Sequence, residues 1–386
     1  MYTNKQDNLE KRMGCNAFQE GRGMYASVPR KARGKRISSF LLGLAALGVV
    51  LASCSSSSSS AASAPSKAPA KLQSFSLGFF TSGASGVEVE LMQKEGIFAK
   101  YGLDPNIVSA TSGPSIVAGE LSGTINIGIG YMGLILPAII QGHDLKFVAP
   151  YARPNFYNVI AQKSISVKPA GIGLTANAKA NIRAMKGATV GVAAVGGLND
   201  LFMAALATAS GLSPTGFTQV AAGGPPTLVT AFKTDRIQYL VTDHPVFTLL
   251  KGLHVPYNVV AMVNTSNSND WKGMVADDWV ASPSYIDSHK SLVMDFCRAM
   301  VAGRNYMGNP KNRAQVLNAA QTVEGITPAE STMWYKHNVF LYSPGIAMTK
   351  SVWTAQKEWL AGTPYAKDAM PSYSTVNYSA CTSLAS

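Results

Sequence analysis

The chain has little of what catalytic or metal-binding proteins usually display. Only four cysteines (15, 54, 297, 381) and five histidines (143, 244, 254, 289, 337) occur in 386 residues. The cysteines lack metal-ligand spacing, and the histidines form neither a His-x-x-x-His nor a His-Glu-x-x-His pattern. Metal chemistry therefore has no support, and no cofactor is expected. Asp243-His244 pairs an acid with a base, but no Gly-x-Ser-x-Gly elbow supplies a nucleophile. Charged residues are sparse at 14%, and no stripe of Lys and Arg alternates with aromatics. A nucleic-acid surface needs such a stripe, so that class is set aside.

What is present begins near the N-terminus. Arg33-Gly-Lys-Arg36 precedes the mostly apolar run Ile37–Val50, and Leu51-Ala52-Ser53-Cys54 follows. Basic residues, an apolar stretch of about fourteen and a small-residue end make a secretion signal. The run is short for a membrane span, which needs about 20 residues. The ending resembles the bacterial lipoprotein signal, which implies lipidation of Cys54 as the first mature residue and a site of action outside the cytoplasm. An uncleaved anchor is the alternative. Met24 opens a more ordinary signal than Met1 does, so Met1–Gly23 reads as a mis-called start or a segment without fold.

Ser55–Ser60 and Ala61–Ala70, with Pro65 and Pro69, have almost nothing to bury and read as a slack tether. The net charge of +12 divides evenly, because residues 1–53 hold nine Lys/Arg against three Asp/Glu. The remainder is mildly basic, enough to draw anions weakly toward the surface and equally consistent with ordinary solubility.

About 310 residues follow the tether, enough for two lobes. Strand and helix patterns alternate. Leu77–Phe80, Pro105–Ser109, Ile125–Gly130 and Lys146–Ala152 read as strands, with helices at Val87–Tyr101, Ser112–Leu121 and Met132–Gln141 between them. A second series has strands at Ala188–Val192, Phe217–Ala221 and Ile237–Thr242, with helices at Leu198–Ser210, Thr227–Phe232 and Pro245–Gly252. Val275–Val280 reads as a returning strand. Helices are expected from there on, at Leu292–Met307, Lys311–Ala320, Pro328–Phe340 and Thr349–Leu360. The expectation is an α/β fold of two lobes, each a mostly parallel sheet flanked by helices, with a helical C-terminal part. The bounds are 1–53 signal, 54–71 tether, 72–163 lobe 1, 164–273 lobe 2, and 274–386 return to lobe 1 plus the C-terminal helices. Crossings near Asn158–Ile165 and Met274–Ala281 suit a hinge. Cys297 lies on the apolar stripe Val293, Phe296, Met300, Val301 and reads as a small hydrophobe, with no bridge to Cys381.

Several ordered segments resemble the substrate-binding proteins of bacterial ABC importers for nitrate, sulfonates, taurine and the thiamine pyrimidine. They are Glu95-Gly-Ile-Phe98 with Tyr101-Gly-Leu-Asp104, Ala118-Gly-Glu-Leu-Ser-Gly123 with Ile125-Asn-Ile-Gly128, Met185–Val192, and Leu228–Asp243. Asn126 stands where that family usually has aspartate, and Asp243-His244-Pro245 where it often has Trp-Glu-Pro. The cysteine-rich motif of the fungal pyrimidine synthases, which share the fold, is missing. The resemblance spans roughly residues 72–360. It implies the type II periplasmic-binding-protein fold, capture of a small organic or anionic solute between the lobes, no enzymatic step, and delivery to a permease and ATPase by a lipid-anchored monomer at the cell envelope. A sensor domain feeding a membrane receptor would look the same in sequence. A secreted α/β enzyme would need a nucleophile–base pair or a metal.

Candidate contact residues follow from where open parallel sheets bind ligands, at the C-terminal ends of their strands. Gly128-x-Gly130-x-x-Gly133 matches a dinucleotide fingerprint, but it sits on the third strand, with Arg153 and Pro154 where an acid is needed. Gly130, Tyr131 and Met132 read instead as solute contacts or as a structural turn. Phe80, Ser82, Gly83 and Ser85 form the turn after the first strand, with capping as the alternative role. Val195, Gly196 and Asn199 make the counterpart in lobe 2. Arg153, beside Asn155, could hold a carboxylate or sulfonate, or form a salt bridge. Asp243 serves as an acceptor or as a helix cap. Aromatics near these turns (Phe79, Phe80, Tyr131, Tyr151, Phe156) suit a flat organic ligand, or are core.

Overall fold

Two mixed sheets organise the chain, one of seven strands and one of five. The structure, a computed structural model, describes residues 71–385 apart from 81–83, 111–112, 150, 155, 243, 265–273, 340–345, 361, 364 and 366–368. Cys54, the signal and the tether lie outside the described residues. The first series runs β1 (Gln73–Phe79), α1 (Ala84–Lys94), α2 (Ile97–Lys100), β2 (Leu103–Ser109), α3 (Gly113–Ser122), β3 (Ile127–Tyr131), α4 (Met132–Ile140), β4 (Lys146–Phe147) and β5 (Tyr151–Pro154). The second runs β6 (Phe156–Gln162), α5 (Ala176–Arg183), β7 (Thr189–Val192), α6 (Leu198–Ala209), β8 (Thr218–Ala221), α7 (Pro225–Lys233), β9 (Tyr239–Thr242), α8 (His244–Gly252) and β10 (Tyr257–Asn264). The chain then gives β11 (Val275–Ala281), α9 (Pro283–Ser288), α10 (Lys290–Gly308), α11 (Arg313–Glu324), α12 (Pro328–Asn338), β12 (Ile346–Ala347), α13 (Lys350–Leu360), α14 (Tyr373–Val376) and α15 (Ser379–Thr382).

In the first sheet β1 pairs in parallel with β2 and β3, as βαβ crossovers require. β11 then runs antiparallel to β3, β4 and β5, and β12 antiparallel to β5. The second sheet repeats the plan. β7 is parallel to β8 and β9, while β6 and β10 run antiparallel at one side. In the first sheet β1, β2, β3, β4 and β5 therefore share one direction against β11 and β12, and in the second β7, β8, β9 and β10 share one direction against β6. Each sheet is thus mixed but mostly of one strand direction, as expected, and β6 and β11, the strands by which the chain enters a sheet from the other, run against it.

Alternation in β1 buries Phe75, Leu77 and Phe79 against α10 and β11. There Phe75, Phe296, Trp279 and Phe79 form an edge-to-face chain with centroids 5.7–6.2 Å apart. Each fully buried ring is worth roughly 1.5–3 kcal/mol, so this cluster anchors the first sheet. A second cluster runs from α4 through α6 to Trp353 and Trp359 of α13. One core thus joins elements of both sheets. The C-terminal helices do likewise. α11 packs on α1, and α12 lies between α11 and α8. A capping box at Thr327 and Glu330 starts α12.

Several elements differ from expectation. The helix expected over Val87–Tyr101 is divided because Gly96 takes φ 65°, where glycine has no steric penalty. The strand expected over Lys146–Ala152 is two strands, β4 and β5. β6 belongs to the second sheet, so the chain changes sheets near residue 155, earlier than the expected boundary after 163. α5 and β10 were not anticipated. Cys297 and Cys381 form a disulfide with Cα atoms 5.7 Å apart, contrary to the reading of Cys297 as a lone hydrophobe. The bridge ties α15 to α10. Among the described residues no helix is long and apolar enough to cross a membrane.

Candidate functional site

The C-terminal ends of β1 and β3 build the first jaw. β1 ends at Phe79, and Phe80 turns its ring toward Tyr131 at the end of β3, with centroids 5.1 Å apart. Ser85, 2% exposed in the first turn of α1, donates from Oγ to the Phe80 carbonyl at 3.4 Å. It therefore fastens the turn from below. Gly130 lies opposite Asp278 in the ladder, and a Cβ there would stand 3.2 Å from the Asp278 carbonyl. That Cβ would meet Val280 Cγ1 at 2.7 Å and Ile135 Cγ1 at 2.9 Å as well, so packing of β11 and α4 side chains over the strand leaves room only for glycine. Met132 opens α4 and is fully buried. Ser82 and Gly83 lie outside the described residues.

The turn from β7 into α6 builds the second jaw. Gly196 takes φ 75°, and its N–H donates to Asp200 Oδ2 at 2.6 Å. Gln219 donates from Nε2 to the other carboxylate oxygen. Burial raises the Asp200 pKa, and the Gly196 N–H opposes that rise. Asp200 is thus the brace of the turn, a residue the sequence reading missed. Asn199 donates from Nδ2 to the Val241 carbonyl at 3.4 Å, which keeps its amide at the C-terminal end of β9. Val195 stands 58% exposed at the rim.

These jaws meet. A Cβ on Gly133 would stand 3.3 Å from Leu198 Cα and 3.1 Å from Leu201 Cδ1. The start of α4 therefore sits directly on the start of α6. Phe80, Ser85, Gly130, Tyr131 and Met132 gather on one side, and Val195, Gly196 and Asn199 on the other.

Arg153 joins the same edge. In the ladder Tyr131 lies opposite Asp277, and Asp277 lies opposite Arg153. The row Tyr131–Asp277–Arg153 therefore crosses the cleft end of the first sheet. Asn155 and Asp243 lie outside the described residues.

Asn158 is the residue sequence reasoning passed over. It is 1% exposed in β6, opposite Thr242 at the end of β9, and neither Oδ1 nor Nδ2 has a hydrogen-bond partner. A buried amide left unsatisfied costs about 1–3 kcal/mol. The signal was an amide inside the apolar run Tyr157–Ala161. Asp277 and Asp278, buried at the same edge, were seen only as part of a strand.

A separate hollow of about 250 Å³ is lined by Gly123, Ile125, Asn126, Ser282, Ser284, Tyr285 and Ser288. It lies at the opposite end of the first sheet, before β3 begins and after β11 ends. Its serines are engaged in local bonds around α9.

The NMT1-like family matches residues 68–321 of the chain. No curated protein matches the sequence. Among solved structures, the alkanesulfonate-binding protein of Xanthomonas axonopodis pv. citri, bound to MOPS, superposes with a TM-score of 0.58 at 15% identity, over 74% of this chain and 90% of that one. The periplasmic nitrate-binding protein of Synechocystis PCC 6803 gives 0.62 at 13% identity, over 82% and 88%. A Candida albicans protein with the generic periplasmic-binding-protein fold gives 0.57 at 12% identity, over 75% and 89%. At such identities the likeness establishes the fold, which is that of periplasmic binding proteins.

Proposed function

The chain belongs to the NMT1-like family, and from that premise we propose that it is an extracytoplasmic solute-binding lipoprotein of an ABC importer. It captures a small organic or anionic solute between its two lobes and delivers it to a permease and its ATPase. No covalent step is involved. The observation that carries this reading is the meeting of the jaws at Gly133 and Leu198, with aromatic rings on one side and an amide on the other.

The first jaw acts through Phe80, Ser82, Gly83 and Tyr131, with Ser85, Gly130 and Met132, expected as contacts but buried in the fold, supporting them from behind. The second acts through Val195, Gly196, Asn199 and Asp243. Arg153 lies where the outgoing strand leaves the first sheet, Asn155 is proposed as a contact from its sequence position beside it, and Asn158 supplies an unused amide at the crossing. Rings from Phe80 and Tyr131 favour a flat organic solute over a bare inorganic anion. Contacts made only when the lobes approach would shift the population toward the closed form. Lipidation of Cys54 and the tether after it would hold the monomer at a membrane beside its permease. The Cys297–Cys381 disulfide fits an oxidising compartment outside the cytoplasm.

Native mass spectrometry of the protein purified from its own host tests this reading. A single small molecule at one copy per chain is expected, lost on Asn199→Ala. Calorimetry against sulfonates, nitrate and thiamine precursors then grades the class. Conversion of the bound molecule into a product would overturn the reading, and unchanged binding in Arg153→Ala would remove the anionic class.

A further inference from the structure

The hinge that this reading requires has a feature of its own. β5 leaves the first sheet and β11 returns to it, and their pairing slips between Val275 and Asp277. Backbone groups at such a slip lose ladder partners. One side chain from a C-terminal helix takes their place at the slip, and a second reaches β5 one residue before it. Gln356 of α13, fully buried, accepts the Val275 N–H at 3.2 Å. Arg304 of α10, 2% exposed, directs Nη1 to the Ala152 carbonyl of β5 at 3.4 Å. Arg304 also donates from Nε to Glu88 Oε1 at 2.9 Å, and Glu88 is 0% exposed in the second turn of α1. α1 is the helix that the first jaw's turn enters. One guanidinium thus spans the jaw helix and the strand that becomes the hinge.

A buried ion pair is seldom retained for stability alone, since apolar replacements often serve as well. Its placement is more telling. Gln356 accepts from the returning strand, and Arg304 holds the outgoing strand and the jaw helix together. Resting on the two-lobe capture reading, we infer that Arg304 is a positioning residue for solute capture. Through Glu88 and Ala152 it makes α1 and β5 move as one body, so that the jaw turn and the hinge are set together.

Hydrogen exchange on the full-length protein without solute tests this. Arg304→Met should accelerate exchange by about tenfold or more, the effect of losing a charge-assisted bond, both at 84–94 and at 151–154. Glu88→Gln, which leaves the Arg304 side chain in place, should also accelerate 151–154. Gln356→Leu should loosen the start of β11 and leave 84–94 unchanged. The apolar pair Glu88→Leu/Arg304→Met should recover the melting temperature while 151–154 still exchanges fast. Wild-type exchange at 151–154 in that double variant, or acceleration confined to α1 and α10 in the single ones, would overturn the inference. If Arg304→Met does not fold, Glu88→Gln and the double variant carry the same decision. Absence of any co-purified solute would count against the capture reading and leave these exchange rates standing.

Discussion

Replacing Gly133 by leucine should weaken solute binding without removing any group that touches solute. Gly133 lies in the first turn of α4, against the start of α6. A Cβ there would meet Leu198 Cα at 3.3 Å and Leu201 Cδ1 at 3.1 Å, inside the usual 3.5–4.0 Å optimum for carbon pairs. Alanine asks its neighbours for a few tenths of an ångström and adds helix propensity, so Gly133→Ala should bind nearly normally. Leucine brings three further carbons into space already filled. Overpacking of that kind costs about 1–3 kcal/mol. The cost falls only on the form in which the jaws meet, so affinity should drop by roughly 5- to 150-fold. Titration calorimetry with the solute identified by native mass spectrometry measures the drop, and thermal melting without solute checks the fold. Wild-type affinity in Gly133→Leu, with the fold retained, would refute the claim that binding needs these faces in contact.

Three other outcomes follow from single features. Glu120 is 3% exposed, neither carboxylate oxygen has a partner, and burial raises its pKa well above the ordinary value. A group with a raised folded pKa takes up a proton on folding, so stability is fullest below about pH 4.5 and falls as pH rises toward the folded value, by about 1.4 kcal/mol per unit; Glu120→Gln should flatten that fall in urea titrations from pH 4.5 to 8, and an unchanged slope would contradict the assignment. The Cys297–Cys381 bridge spans 84 residues, for which loop entropy predicts up to about 4–5 kcal/mol; Cys381→Ser should lower the urea midpoint, and an equal midpoint would mean the bridge does not form in the native protein. Cys54→Ser should move the protein from the membrane fraction to the soluble one, and retention at the membrane would refute lipid anchoring.

Much of the architecture was legible because it rests on local pattern. β3, α4, β7, α6 and β9 lie close to where periodicity put them, and the jaw turns follow because parallel strands end there. Gly96 shows the limit of local reading, since an apolar periodicity continues across it while its left-handed backbone ends the helix. Asn158–Ile165 was read as a crossing between lobes, whereas tertiary pairing with β9 and β10 makes Phe156–Gln162 an interior strand of the second sheet. The disulfide was hidden by distance along the chain and by the apolar company Cys297 keeps on α10. Asn158 and the row Tyr131–Asp277–Arg153 depend on register between strands remote in sequence, which no spacing rule reports, whereas Asp200, four residues after Gly196, was within reach of a local reading.

Small-angle scattering tests the central claim most directly. The full-length protein, stripped of its co-purified solute and then resupplied with it, should show a smaller radius of gyration as the lobes close. An unchanged radius at saturating solute would contradict capture by closure between the two sheets.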